Sequence, residues 1–134
     1  MANEATLIFE TAIPIPFTCA NTAGIEKGAI LALSDPSTVA TSTALADVIA
    51  GISATEKIAS DGKTTVAVYD QGIFKMTLSG ACIVGEALVS AKANKVSRNH
   101  SVLSGARILG TALETGADGE TIRVKLNIQN NITV

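Results

Sequence analysis

Apolar and polar residues alternate along most of this chain in short runs, with the two-residue period of β-strands. Gly, Pro and Asp turns separate these runs, which predict strands at Ala29–Leu33, Val48–Ile52, Thr64–Tyr69, Ile73–Leu78, Ala87–Val89, Arg107–Leu113 and Thr121–Ile128. The stretch from Val66 to Met76, interrupted by Asp-Gln-Gly, predicts a hairpin. Only Ser42–Ala46 and Ala54–Ile58 have room for a helical turn, and residues 93–104 predict a long loop. We therefore predict an all-β fold.

The strand pattern repeats within the chain. Two segments recur at one offset of 57 residues, with landmarks at Gly28 and Gly85 and at the turns that begin with Asp61 and Asp118. A constant offset of this kind indicates a duplicated structural unit. The prediction is a small single domain of the β-barrel or β-tulip type with internal duplication. The predicted extents are 19–134 for the domain, and about 19–76 and 77–134 for its two pseudo-repeats.

The first eighteen residues lie outside the recurring segments. Pro14 and Pro16 each lack a backbone donor and disfavour a helix, so this stretch is predicted to be extended, as an edge strand or an arm. We interpret residues 1–18 as an extended N-terminal arm. Its apolar side chains must pack on the domain or on a neighbour, and they are candidate contacts with a partner or another subunit: Leu7, Phe9, Ile13, Ile15 and Phe17.

A comparison of the two repeats adds two candidate contact residues. At the offset of 57, Val66 and Val68 align with Arg123 and Lys125, which alternate with apolar residues in the pattern of a half-solvated strand. This alignment assigns Val66 and Val68 to an outer face. An apolar outer face has to be covered, either by the N-terminal arm or by another subunit.

Composition and charge exclude several classes of function. The net charge of −2 argues against a nucleic-acid-binding protein, which would carry a basic stripe. No run of about 18 apolar residues is present, so no membrane span is predicted. The acidic start of the chain argues against a secretory signal and favours synthesis in the cytoplasm. Cys19 and Cys82 are interpreted as two reduced, buried thiols, with a disulfide as the alternative.

The sequence offers little chemistry. His100 is the single histidine, which excludes a site with several His ligands, and the serines near it (Ser97, Ser101 and Ser104) do not stand in a nucleophile motif. The Asp-Gly turns lack the alternating acidic residues of a calcium loop. We predict no catalytic centre, no metal and no cofactor, so the protein is not expected to be an enzyme.

Several segments together resemble the capsid cement (head decoration) family of tailed bacteriophages and related viruses. The resemblance covers about Gly24 to Asn127 and is carried by GIEKGAILALSDP, VIAGISATEKIASDGKTTVAVYDQGIFKM, GEALVSA and ILGTALETGADGETIRVKLN. It implies a structural virion protein that binds major capsid protein subunits on the outer surface of an expanded head and stabilises it. It also implies a homotrimer at three-fold and quasi-three-fold positions, with neither nucleic acid nor membrane as a partner.

Two other classes of function remain open from the residues. A carbohydrate-binding or tail-associated β-module would need exposed aromatic side chains, of which the chain has only Tyr69 and three Phe. A carrier domain of the biotinyl or lipoyl type would need a modifiable lysine at a hairpin tip. Lys63 and Lys92 lie near turns, but neither has the flanking pattern of that family.

Overall fold

The computed structural model describes residues 2–35, 37–45, 47–98 and 107–130. The described chain contains a single 3-10 turn at Lys92–Asn94, no α-helix and the following strands. They are β1 (Thr6–Phe9), β2 (Ile15–Thr18), β3 (Ile30–Asp35), β4 (Thr38–Thr41), β5 (Ile49–Ser53), β6 (Thr65–Tyr69), β7 (Gln71–Thr77), β8 (Ala87–Ala91), β9 (Lys95–Arg98), β10 (Arg107–Ala112) and β11 (Thr121–Asn130). The all-β prediction is confirmed.

The strands form two sheets, each built mainly from one half of the chain, and β1 of the N-terminal segment is added to the second sheet. The first sheet is a closed barrel with the order β2-β4-β3-β5-β6, and the second has the order β1-β7-β11-β10-β8-β9. An isolated parallel bridge between Leu78 and Val96 connects the end of β7 to β9 and curls the second sheet towards closure. Closure leaves few unpaired strand edges, which are the usual sites of unwanted association.

The strand order confirms the duplication. The neighbours β4-β3-β5-β6 in the first sheet recur as β9-β8-β10-β11 in the second, and β2 pairs with β6 as β7 pairs with β11. Gly51 lies opposite Leu31 and Gly110 lies opposite Leu88, so the register is also repeated. The first repeat therefore runs from β2 to β6 and the second from β7 to β11. Strand pairing places the boundary at Asp70, six residues before the predicted one.

The predicted outward orientation of Val66 and Val68 is wrong, because both side chains are buried inside the first barrel. Strand pairing explains the error. Ser53 lies opposite Val68 and its counterpart Ala112 lies opposite Val124, so the last strands of the repeats match at an offset of 56 and not 57. A slip of one residue moves every side chain of a strand to the other face.

The corrected alignment gives both repeats the same interior. Seven buried positions of the first barrel have buried counterparts in the second half. The pairs are Cys19 and Leu78, Ile25 and Cys82, Leu31 and Leu88, Val39 and Val96, Ala50 and Leu109, Val66 and Ile122, and Val68 and Val124. The second cluster also contains Ile30, Ile49 and Ile52 of the first repeat, which join the two halves into one core. Burial of aliphatic side chains on this scale is the main stabilising term of the fold.

A buried amide also connects the two halves. The Asn94 side chain accepts a hydrogen bond from the Ile30 N–H at 2.7 Å and donates to the carbonyl oxygens of Gly28 and Asn3 at 3.0 and 2.9 Å. Asn94 belongs to the second repeat, Gly28 and Ile30 to the first, and Asn3 to the N-terminal segment. One side chain therefore holds three parts of the chain together, and its buried polar atoms are paired.

A second polar anchor is found only in the first repeat. Lys57 is buried, and its Nζ donates to the carbonyl oxygens of Asn21 and Ala23 at 2.8 Å each. Its charge also lies 3.5 Å from Asp61 Oδ1. A hydrogen bond from the N–H of Lys63 lowers the pKa of Asp61, and the nearby Lys57 adds to this effect. The counterpart of Lys57 is Gly116, which has no side chain to form such an anchor.

Several local predictions differ from the structure. The predicted hairpin at Val66–Met76 is wrong, because β6 and β7 follow each other in the chain but pair in different sheets. The predicted loop over residues 93–104 contains β9, and β4 was not predicted. Residues 42–45 and 54–58 contain no helical turn. Each error concerns a short segment whose structure depends on pairing with a distant strand rather than on local pattern.

Candidate contact surfaces

Residues 6–18 are extended, as predicted, and both of their strands are paired. β1 is the edge strand beside β7, with Leu7 opposite Phe74, whereas β2 closes the first barrel between β4 and β6. The covalent link between them therefore crosses from one sheet to the other. This arrangement answers where the segment packs: it lies on its own domain and connects the repeats.

Pro16 of β2 and Pro14, one residue before this strand, lie at an open part of the barrel rim. The N–H of Thr18 donates towards β4, whereas the N–H of Cys19 donates towards β6. Because the backbone nitrogens of successive residues in a strand point to opposite sides, the nitrogens of Pro14 and Pro16 point to the same side as that of Thr18. In the second repeat, β1 occupies the corresponding place beside β7. The first repeat has no such strand, and proline removes the donors that would otherwise be left unpaired.

The seven predicted contact residues fall into three groups. Leu7, Phe9, Ile13 and Ile15 are exposed, with 64% of Phe9 and 78% of Ile13 accessible to solvent. Phe17 is half-buried and packs on the core of the first barrel. Val66 and Val68 are buried and are excluded as surface contacts. We call the four exposed residues the N-terminal apolar strip.

Sequence analysis missed a group of cations on the outer face of the second sheet. Lys75 of β7 lies directly opposite Arg123 of β11, and Lys125 follows on the same exposed face. Within the described chain none of the three forms an ion pair. We call Lys75, Arg123 and Lys125 the basic strip. Phe9 and Lys125 both lie opposite Ile73, so the N-terminal apolar strip adjoins the basic strip.

A second exposed apolar group was also missed. Ile83 and Val84 form a turn in which the Glu86 N–H donates to the Ile83 carbonyl, and Leu113 lies on the neighbouring segment. The matching turn of the first repeat, closed by the Ala29 N–H and the Glu26 carbonyl, contains Glu26 and Lys27 instead. This difference in surface charge is visible in the sequence, where Glu26 and Lys27 align with Ile83 and Val84 at the offset of 57.

The described residues show no arrangement for catalysis or metal binding. No three His, Cys, Asp or Glu side chains among them come together as metal ligands. His100 lies outside the described residues, as do Ser101 and Ser104. Cys19 and Cys82 are buried free thiols, and burial raises the pKa of Cys82. No helix in the part of the chain that the structure describes is long and apolar enough to cross a membrane.

The aromatic residues are engaged within the protein to different degrees. Tyr69 packs edge-to-face on Phe74, with ring centroids 5.6 Å apart, and its hydroxyl donates to Glu10 Oε2 at 2.8 Å. This hydrogen bond raises the pKa of Tyr69. Phe74 is buried, Phe17 is half-buried and Phe9 is exposed. The exposed aromatic ring therefore belongs to the N-terminal apolar strip and not to a cleft.

Comparison with known proteins identifies the family. The chain belongs to the phage cement proteins, whose family pattern matches residues 9–128. Its fold is similar to that of the head fiber gp8.5 N base in bacteriophage phi29, with a TM-score of 0.56 and 14% sequence identity, over 89% of this chain and 98% of that one. No curated protein matches the sequence. Family membership supports a structural role at the phage capsid and association with the virion.

Proposed function

We propose that this protein decorates the outer surface of an expanded phage head by binding subunits of the major capsid protein, as a homotrimer at three-fold and quasi-three-fold positions. The observation that carries the proposal is the N-terminal apolar strip. Leu7, Phe9 and Ile15 lie on paired strands yet remain open to solvent. Ile13 lies in the link between β1 and β2 and is the most exposed large apolar residue described. Apolar patches maintained on a rigid scaffold are typical of interaction sites.

Cement action follows from selective binding. A protein that binds the expanded lattice, and not separated subunits, stabilises the assembled state by mass action. Attachment at a symmetry position lets each copy of a trimer bind an equivalent capsid site, so modest single contacts add up to strong attachment. The rigid all-β body and the absence of a catalytic cluster among the described residues agree with this role.

The test replaces Ile13, in the link between β1 and β2, and Ile15, the first residue of β2. Ile13→Ser combined with Ile15→Ser should weaken binding to expanded heads by about two orders of magnitude, because burial of each isoleucine contributes about 1.5–3 kcal/mol. Binding is measured by cosedimentation with empty heads, and occupancy by electron microscopy. Leu45→Ser is the matched control, since Leu45 is 61% exposed and lies elsewhere on the first repeat.

Two results would contradict the proposal. Wild-type protein that remains monomeric and does not bind expanded heads would refute it entirely. Equal binding by the double variant and the Leu45→Ser control would show that the N-terminal apolar strip does not contact the capsid. Circular dichroism of each variant establishes that the barrel is intact before binding is compared.

A further inference from the structure

The basic strip is absent from the first repeat, although the strands are the same. Pairing places Pro16, Ala67 and Tyr69 at the positions of Lys75, Arg123 and Lys125. Like charges directly opposite each other destabilise a sheet. The first repeat shows that this strand arrangement forms without the cations. Their presence in the second repeat is therefore not required by the strand arrangement.

The charge of the chain is divided between its halves. Residues 15–70, the first repeat, contain six Asp and Glu against three Lys, a net charge of −3. Residues 71–134 contain four Asp and Glu against seven Lys and Arg, a net charge of +3. One copy thus has an acidic first repeat and a basic second repeat. Two copies of this chain are complementary when the second repeat of one faces the first repeat of the next.

An acidic pair on the first repeat provides the matching site. The bridge between Ile25 and Lys57 places the neighbouring residues Glu26 and Glu56 opposite each other, and both are exposed. They border a cleft of about 440 Å³ that is also lined by the exposed Ile58. In the second repeat Ile83 and Thr115 occupy the positions of Glu26 and Glu56, as the bridge between Cys82 and Gly116 shows. The acidic pair and the basic strip are thus each restricted to one repeat.

We propose that copies of this protein join head to tail, with the basic strip of one copy docked on Glu26 and Glu56 of the next. This inference rests on the homotrimer of the proposed function and names its interface. The two patches differ, so the contact is heterologous, and such a contact forms a closed ring when its rotation closes. Phe9 and Ile73 border the basic strip and supply apolar area to the same contact.

Charge reversal tests the interface. Arg123→Glu with Lys125→Glu, and separately Glu26→Lys with Glu56→Lys, should each raise the dissociation constant of self-association at least about tenfold, since close charge pairs couple strongly across interfaces. An equimolar mixture of the two double variants should form mixed dimers. The acidic strip of the first variant matches the lysines introduced in the second, and the unchanged basic strip of the second matches Glu26 and Glu56 of the first. A chain carrying all four changes should recover the trimer. Lys92→Glu with Lys95→Glu is the control, with the same change in net charge and lysines outside the basic strip.

Analytical ultracentrifugation at two salt concentrations completes the test. Wild-type trimers should weaken between about 0.1 M and 1 M NaCl, where the screening length falls from about 10 Å to about 3 Å. Trimers that are unaffected by either double reversal would overturn the interface and leave the proposed function intact. Loss of head binding with an unchanged trimer would instead assign the basic strip to the capsid and overturn its role between copies. A monomeric wild-type protein would overturn both proposals.

Discussion

The two repeats share an interior and differ on their surfaces. Equivalent interior positions of the closed barrel and of the second sheet are apolar, as Val68 and Val124 illustrate. Equivalent positions outside have diverged, from Ala67 to Arg123 and from Glu26 to Ile83. The apolar interior positions that the fold requires are the same in both repeats, whereas the exterior positions that it does not require differ. The divergent exposed positions are therefore where the contacts of this cement protein should be sought.

The edges of the repeats differ in the same informative way. β1 covers the free side of β7, whereas the corresponding side of β2 carries Pro14 and Pro16. Both solutions leave few unpaired donors at the rim, one by adding a strand and the other by removing N–H groups.

The largest effect is expected from a charge placed inside either barrel. Val68→Asp and Val124→Asp should each destabilise the protein by roughly 3–5 kcal/mol, because each introduces an uncompensated buried carboxylate. Thr65→Asp and Thr121→Asp, at exposed equivalent positions of the same strands, should change stability by less than about 0.5 kcal/mol. Urea unfolding followed by circular dichroism measures all four.

This set of variants separates the two alignments of the repeats. At an offset of 56 both valines are interior and fail together, whereas at 57 Val68 would share the outer face with Lys125. A Val68→Asp protein as stable as Thr65→Asp would contradict the burial of Val68 and the offset of 56. A difference of more than about 2 kcal/mol between Val68→Asp and Val124→Asp would show that the two interiors tolerate charge unequally.

An intermediate effect is expected at the anchor found in one repeat only. The loop from Lys57 to Val66 is three residues longer than its counterpart from Gly116 to Ile122. At the start of this loop, Lys57 Nζ donates hydrogen bonds to backbone carbonyl oxygens. Lys57→Met should cost about 1–3 kcal/mol, because buried carbonyls lose their donor. Hydrogen exchange should become faster in this loop. Lys63→Met, an exposed substitution in the same loop, is the control and should leave exchange unchanged.

The sequence predicted most of the fold because the repeat supplied an internal check on each strand. Alternation located seven strands, and the recurring Asp-Gly turns showed that the halves correspond. Pattern alone did not determine the register of the last strand. The loop before it is three residues longer in the first repeat, which changes the offset from 59 at Gly51 and Gly110 to 56 at Val68 and Val124. Such a shift is visible only in the pairing of Ser53 with Val68 and of Ala112 with Val124.

The exposure of the N-terminal apolar strip was not predicted as such. Leu7, Phe9, Ile13 and Ile15 were selected because apolar side chains in an extended segment must pack on the domain or on a neighbour; they are exposed, and their contact with a partner stays a prediction. The basic strip was not found, because Lys75 is 48 residues from Arg123 in the sequence and the two meet only through the pairing of β7 with β11. Charges that are scattered along a chain become a patch through strand pairing, which composition does not record.

The smallest effect on stability is expected at the proline-protected edge. Pro16→Val restores an N–H on the open side of β2 and should change stability by less than about 0.5 kcal/mol, because Pro16 is exposed and its new donor faces solvent. The expected change is in association, since an edge with restored donors invites pairing with another strand. Light scattering at increasing protein concentration should show larger species for Pro14→Val with Pro16→Val than for the wild type.

Ile15→Pro is the contrasting control. The nitrogen of residue 15 faces β6, so this substitution should destabilise the barrel by about 1–3 kcal/mol through a lost ladder hydrogen bond. If the valine variants stay as monodisperse as the wild type, the prolines do not protect this edge, and the difference between β2 and β7 must have another cause.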